Sequence, residues 1–91
     1  MRRDAKRDGN EAEIVAVLEK IGATVERLND AALPDLLVGF RGHNYLLEVK
    51  MPKTGRLTEA QKAWWQNVWW SGQRAIVTTP EEALREIGAI E

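Results

Sequence analysis

Ile14, Val17, Leu18 and Ile21 recur three and four positions apart, the spacing that lines one side of an α-helix. This spacing predicts a first helix from about Asn10 to Ile21, with Asn10 or Asp8 as N-cap and Gly22 as the stop. A strand is expected near Thr24 to Leu28, followed by a polar bend at Asn29-Asp30. Two further strands, near 35 to 40 and 45 to 51, flank Arg41-Gly42-His43-Asn44, a turn in which Gly42 or Asn44 can take positive φ. Pro52 to Arg56 makes a basic loop. Thr58 starts a second helix that should end at Ser71-Gly72, Arg74 to Thr79 reads as a strand, and Pro80-Glu81-Glu82-Ala83-Leu84 opens a short final helix with proline in its first turn. The order αβββαβα predicts an α/β (α+β) fold, a mixed sheet flanked by helices, with the last strand joining through the second helix as a right-handed crossover.

Alternation along the third strand adds chemistry to this outline. Tyr45, Leu47, Val49 and Met51 fall on one face, Glu48 and Lys50 on the other. Register decides whether Asp35 joins the charged face. A two-residue turn at Arg41-Gly42 sets Asp35 opposite Glu48, whereas a four-residue turn over 41 to 44 sets it opposite Lys50. A slip of one residue would turn an apolar face outward. Carboxylates brought within roughly 5 to 8 Å repel each other, so something positive must offset them. Lys50 is one candidate and a divalent metal the other. Hard cations such as magnesium take carboxylate, carbonyl and water oxygens, which Asp35, Glu48 and the Val49 carbonyl can offer. A cation so held acidifies bound water and stabilises charge on a phosphoryl oxygen, while Lys50 orients or helps deprotonate the nucleophile. The pattern points to phosphodiester hydrolysis.

In sequence order, a helical carboxylate, Pro34-Asp35 and Glu48-x-Lys50 resemble the motif set of the PD-(D/E)XK nuclease superfamily. The chain is similar to its compact stand-alone virus-type replication-repair nuclease (VRR-NUC) branch, and also to archaeal Holliday-junction resolvases. Such families begin with a Glu-bearing helix about three turns before a Gly and a strand, matched here by Glu11-Ala12-Glu13-Ile14-Val15 running to Gly22-Ala23-Thr24-Val25. After Pro-Asp and Glu-x-Lys comes a helix with a Gln, matched by Leu57-Thr58-Glu59-Ala60-Gln61. The match spans Asp8 to Gly88, nearly the whole chain, and the ordered set is far more specific than any single member. The resemblance implies a restriction-endonuclease-like core, Mg2+ or Mn2+ as cofactor, branched or structured DNA such as a four-way junction as substrate, and a homodimer. Asp35, Glu48 and Val49 would hold the metal, Glu11 would complete the shell directly or through water, Lys50 would position or activate the attacking water, and Gln61 would assist. Where these families often carry a histidine, this helix has Trp64-Trp65.

Each of these residues also has a plainer reading. Glu11 and Glu13 both sit in the first helical turns, where the helix dipole favours carboxylates. By angle, Glu11 lies beside the Ile14/Leu18 edge of the stripe and Glu13 beside Val17, so the family spacing to Gly22 favours Glu11, with Glu13 in reserve. Thr58-x-x-Gln61 is a capping box in its own right. Trp64, Trp65, Val68 and Trp69 share a helical face with Ala60, as a core-packing helix requires. Trp70 points elsewhere, toward a subunit interface or an unpaired base. His43, the only histidine, falls in a turn, so Ser-His-Asp hydrolysis and histidine-rich zinc sites are not expected. Gly39 and Gly42 lack the spacing of a nucleotide-binding loop, and no nucleotide cofactor is expected.

Composition narrows the setting. Residues 1–91 read as one domain, near the small end of what folds without covalent help, so a dimer would be a natural way to bury more apolar surface. Cysteine is absent, which excludes disulfides and thiolate sites and is compatible with a reducing cytoplasm, that of a bacterial or phage-infected cell. Residues 1–8 read as a flexible basic tail without the apolar stretch of a signal peptide, and no run is long enough to span a membrane. A net charge of −1 suits DNA poorly overall, yet Arg2, Arg3, Lys6 and Arg7 gather at one end, and Lys50, Lys53 and Arg56 flank the carboxylates. The expectation is modest, salt-sensitive affinity. A catalytically silent nucleic-acid-binding module on the same fold is the alternative, and a small protein-interaction domain using the tryptophan helix is a third.

Overall fold

Helical periodicity, one two-residue turn and a proline set the element boundaries in the computed structural model, which describes residues 9–67 and 72–91. In chain order these are α1 (Glu11–Lys20), β1 (Thr24–Arg27), β2 (Leu36–Phe40), β3 (His43–Val49), α2 (Glu59–Asn67), β4 (Gln73–Val77) and α3 (Pro80–Glu86). The strands form one four-stranded sheet in the order β1-β2-β3-β4. β1–β2 and β2–β3 are antiparallel and β3–β4 is parallel, so the sheet is mixed and the protein is α+β. The observed order αβββαβα is the expected one.

Helix α1 buries Glu11, Ile14, Val15 and Leu18, positions i, i+3, i+4 and i+7. The expected stripe of Ile14, Val17, Leu18 and Ile21 is corrected in phase. Ile21 is the C-cap and 40% exposed, because the helix closes one residue earlier. The closure is a Schellman motif in which Gly22 N donates to Glu19 O at 3.0 Å and Ala23 N to Leu18 O at 3.1 Å. At the other end of the chain, Thr79 caps α3, its hydroxyl accepting from Glu82 N at 3.1 Å, with Pro80 following it.

The hairpin takes the shorter of the two expected loops. Phe40 pairs with His43 and Leu36 with Leu47, leaving only Arg41 and Gly42 in the turn. Their φ values are 52° and 83°, the left-handed pair that a two-residue turn of type I′ needs to match the twist of its strands. Of the two residues expected to be able to take positive φ, Gly42 does so. Asn44 instead pairs with Gly39, and His43, expected in the turn, is the first residue of β3, because the turn has no room for either. β3 ends at Val49, so Met51, expected on the core face, lies beyond the strand and is 39% exposed.

One face of the sheet is apolar. Leu36, Val38, Phe40, Tyr45, Leu47, Val49 and Val77 pack there against Ile14, Val15 and Leu18 of α1 and Ala83 and Ile87 at α3. Tyr45 keeps its hydroxyl satisfied by donating to Ile87 O at 3.2 Å. The opposite face carries Leu37, Leu46, Glu48, Arg74 and Ile76, and α2 lies over it, with Gln61 at Glu48 and Trp64 and Trp65 at Arg74.

The core reading of the tryptophan helix is therefore corrected. Ala60 is exposed, Trp64 and Trp65 are half-buried, and none of the three belongs to the apolar cluster. The two indoles meet edge to face at 5.5 Å, with the Arg74 guanidinium 4.5 Å from the Trp65 ring and 5.9 Å from the Trp64 ring. Beneath these rings the sheet presents the Arg74 guanidinium, and they pack on that cation. Val68, Trp69, Trp70 and Ser71, like residues 1–8 with their basic cluster, lie outside the described residues. Among the described residues, no helix is long and apolar enough to cross a membrane.

Candidate active site

Asp35 sits just ahead of β2. Its backbone oxygen accepts from Leu28 N at 2.8 Å, extending the β1–β2 ladder, and its Oδ2 accepts from Val49 N at 2.8 Å. With Leu36 paired to Leu47, Asp35 falls across from Glu48, the arrangement required by the two-residue turn. Val49 turns its amide toward Asp35. Because the N–H and C=O of one strand residue address the same neighbouring strand, its carbonyl opens to that side as well.

Glu48 is fully buried. Its Oε2 accepts from Gln61 Nε2 at 3.0 Å and lies 3.4 Å from Lys50 Nζ, while its Oε1 is buried with no hydrogen-bond partner. Burial, and then the neighbouring Asp35 carboxyl, push its pKa from 4.5 up to about 8, against the opposing pull of the Lys50 ammonium. At neutral pH the Asp35–Glu48 pair thus holds a proton. That proton offsets part of the repulsion, and a cation could take its place.

Lys50 continues past β3, its N donating to Val77 O at 3.0 Å. Its ammonium donates to Gln61 Oε1 at 2.9 Å. Gln61 also forms the capping box in full, with Gln61 N donating to Thr58 Oγ1 at 3.2 Å and Thr58 N to Gln61 Oε1 at 2.9 Å. The two readings of this residue are compatible: the cap fixes the side chain that spans Glu48 and Lys50. Donor toward carboxylate and acceptor toward ammonium is also the only amide orientation that satisfies both neighbours.

Glu11 is buried on the inner side of α1, where its Oε2 accepts from Arg27 Nε at 2.9 Å, whereas Glu13 is exposed. The fold therefore separates two residues that helical angle alone left equivalent. Asn10 places this first turn. As N-cap it makes no side-chain bond within α1; its amide instead donates to Lys50 O at 3.1 Å and Thr78 O at 2.7 Å, docking α1 at the carboxyl ends of β3 and β4. The structure therefore brings Asp35, Glu48, Lys50 and Gln61 together and holds Glu11 on Arg27. Among the described residues, no three His, Asp or Glu side chains form a group that could hold a metal ion.

Sequence reasoning missed Arg27 and the tertiary role of Asn10. Arg27 carried a signal. Val25 packs against the core, so strand alternation puts Arg27 on the same side of the sheet as α1, where the buried Glu11 needs a positive partner. Asn10 carried none, because its partners are backbone carbonyls remote in sequence. Comparison of the chain with models of known families, with curated proteins and with solved structures found no match.

Proposed function

We propose that the protein is a magnesium- or manganese-dependent endonuclease that hydrolyses phosphodiester bonds in branched or structured DNA, on a restriction-endonuclease-like core of the VRR-NUC type and as a homodimer. The observation that carries this reading is the fully buried Glu48 beside the half-buried Asp35, with the Lys50 ammonium against Glu48. Oxygen donors suit a hard divalent ion, and the unpartnered Glu48 Oε1 together with the retained proton marks where positive charge is wanted. Asp35, Glu48 and the Val49 carbonyl would hold the ion, with Glu11 joining directly or through water. When bound, it would acidify a coordinated water and stabilise charge on a phosphoryl oxygen. The chain supplies the orientation. Gln61 aims Lys50, whose ammonium can hold the attacking water or a phosphoryl oxygen, and Asn10 and the cap at Thr58 keep that arrangement rigid.

The engagement of Glu11 by Arg27 favours a second reading, a silent nucleic-acid-binding module on the same fold. Labelled linear duplex, single-stranded, flap and four-way-junction DNA, incubated with magnesium, manganese or EDTA, separates the two. The expected result is metal-dependent cleavage, reduced at least a hundredfold by Asp35→Ala and by Lys50→Ala with circular dichroism unchanged, roughly the loss that follows removal of a group acting on the transition state. Binding without cleavage on every substrate would support the silent module, and no binding even at low salt would remove both.

A further inference from the structure

The loop between β3 and α2 is closed by two nested hydrogen bonds. Gly55 N donates to Met51 O at 3.0 Å and, inside that closure, Thr54 N donates to Pro52 O at 2.7 Å. A bond from residue i+2 back to residue i makes a γ-turn. Its central residue, Lys53, has φ 69°, so this is the rare, strained form. A bulky side chain at positive φ persists only where the surroundings impose it, and such positions gather at functional sites.

One observation connects this turn to Lys50, and a second bears on Lys53 itself. A Cβ at Gly55 would stand 2.8 Å from Lys50 Cβ and 2.7 Å from Met51 N, so the loop presses on the backbone that carries Lys50, and only glycine lets it close there. Lys53 itself is exposed and makes no ion pair among the described residues. The chain thus has glycine where a Cβ would collide, yet lysine two residues earlier, where glycine would relieve the backbone. Among the described residues, no ion pair offsets that choice. A cation held out on the loop that folds back on Lys50, in a protein of net charge −1, is what an anionic substrate needs there.

We infer that Lys53 is a phosphate-binding residue: the strained turn presents its ammonium beside Lys50 to a phosphodiester oxygen of the substrate strand, next to the bond that is cut. The inference rests on the nuclease reading and adds the substrate contact to it. Lys53→Gly, Lys53→Ala and Lys53→Arg decide it, with junction and duplex DNA binding followed by fluorescence anisotropy in EDTA over a salt series, beside thermal melting. The Gly variant should melt at or above the wild-type temperature, and the Ala variant, which keeps the strain, below the Gly variant. Gly and Ala should both flatten the slope of log K against log salt by about 0.9, the value for one phosphate contact, and Arg should keep it. In cleavage, KM should rise several-fold in the Gly and Ala variants with kcat little changed. A wild-type slope in Lys53→Gly overturns the inference alone, leaving the nuclease reading intact if the protein cuts DNA. Melting of that variant well below wild type overturns the strain argument and the inference with it, and a wild type that binds no DNA overturns both the inference and the reading beneath it.

Discussion

Glu48 ties the proposed chemistry to stability. Below its ordinary pKa of 4.5 both the folded and the unfolded chain keep the proton, and burying the carboxyl carries no ionisation cost. Between 4.5 and about 8 the unfolded chain has released the proton while the folded one retains it, so stability falls as pH rises, by at most roughly 1.4 kcal/mol per unit. In EDTA the denaturant midpoint should therefore drop from pH 5 to pH 8, and Glu48→Gln should remove most of that drop. A midpoint equally pH-dependent in both proteins would show that another group sets it. Manganese should restore more stability at pH 8 than at pH 6, because metal and proton compete for the same oxygens. Gly55 gives a second prediction at this scale. The Cβ of Gly55→Ala would stand 2.8 Å from that of Lys50 and must push the backbone, so the melting temperature should fall, and cleavage should fall roughly tenfold to a hundredfold even where the variant is still folded. Unaltered cleavage would mean that Lys50 tolerates the shift.

At the scale of elements, α2 is the least conventional. Its described residues contribute nothing to the apolar core and attach it through two contacts among others, Gln61 on Glu48 and Lys50, and the indoles on Arg74. Arg74→Ala should weaken the second by about 1 kcal/mol, seen as severalfold faster hydrogen exchange over residues 59–67 and red-shifted tryptophan emission. Exchange that stays at the wild-type rate would place the attachment elsewhere. Sequence patterning found this helix but misjudged what it packs on, because the character of its face depended on Arg74 and Glu48, which reach it only through the sheet. In α1 the phase slipped for a related reason. Counting apolar residues passes over a buried Glu11 and takes in Ile21, which the Schellman closure leaves in solvent. The hairpin was legible to within two registers, since alternation fixes faces but not loop length. Arg41 at positive φ then resolved that choice, a conformation for which arginine gives no local signal.

For the molecule as a whole, element order and the apolar sheet face were readable because both follow from periodicity and punctuation. The meeting of α1 with the strand ends was not, since it depends on the Asn10 bonds to Lys50 O and Thr78 O. Among the described residues a single apolar layer supports the sheet, which makes the protein sensitive to loss of volume there. Leu36 is fully buried at its centre, and Leu36→Ala should cost about 2–5 kcal/mol, a large share of the roughly 5–15 kcal/mol by which domains are stable. The midpoint should fall with an unchanged denaturant slope. A loss well below that range would mean that the layer collapses around the gap. The hairpin, finally, sets how this chain can vary over time. Substitution at Arg41, or a residue added to make a three-residue turn, leaves the pairing from Phe40 and His43 onward intact. One residue inserted within β3 ahead of Leu47, read through its strict alternation, would instead exchange the faces beyond it, moving Leu47 off the core and Glu48 onto it. Lineages descending from this sequence can drift in letters and in length at the tip of the hairpin, whereas inside β3 the spacing between Tyr45 and Lys50 is closed to single-residue change.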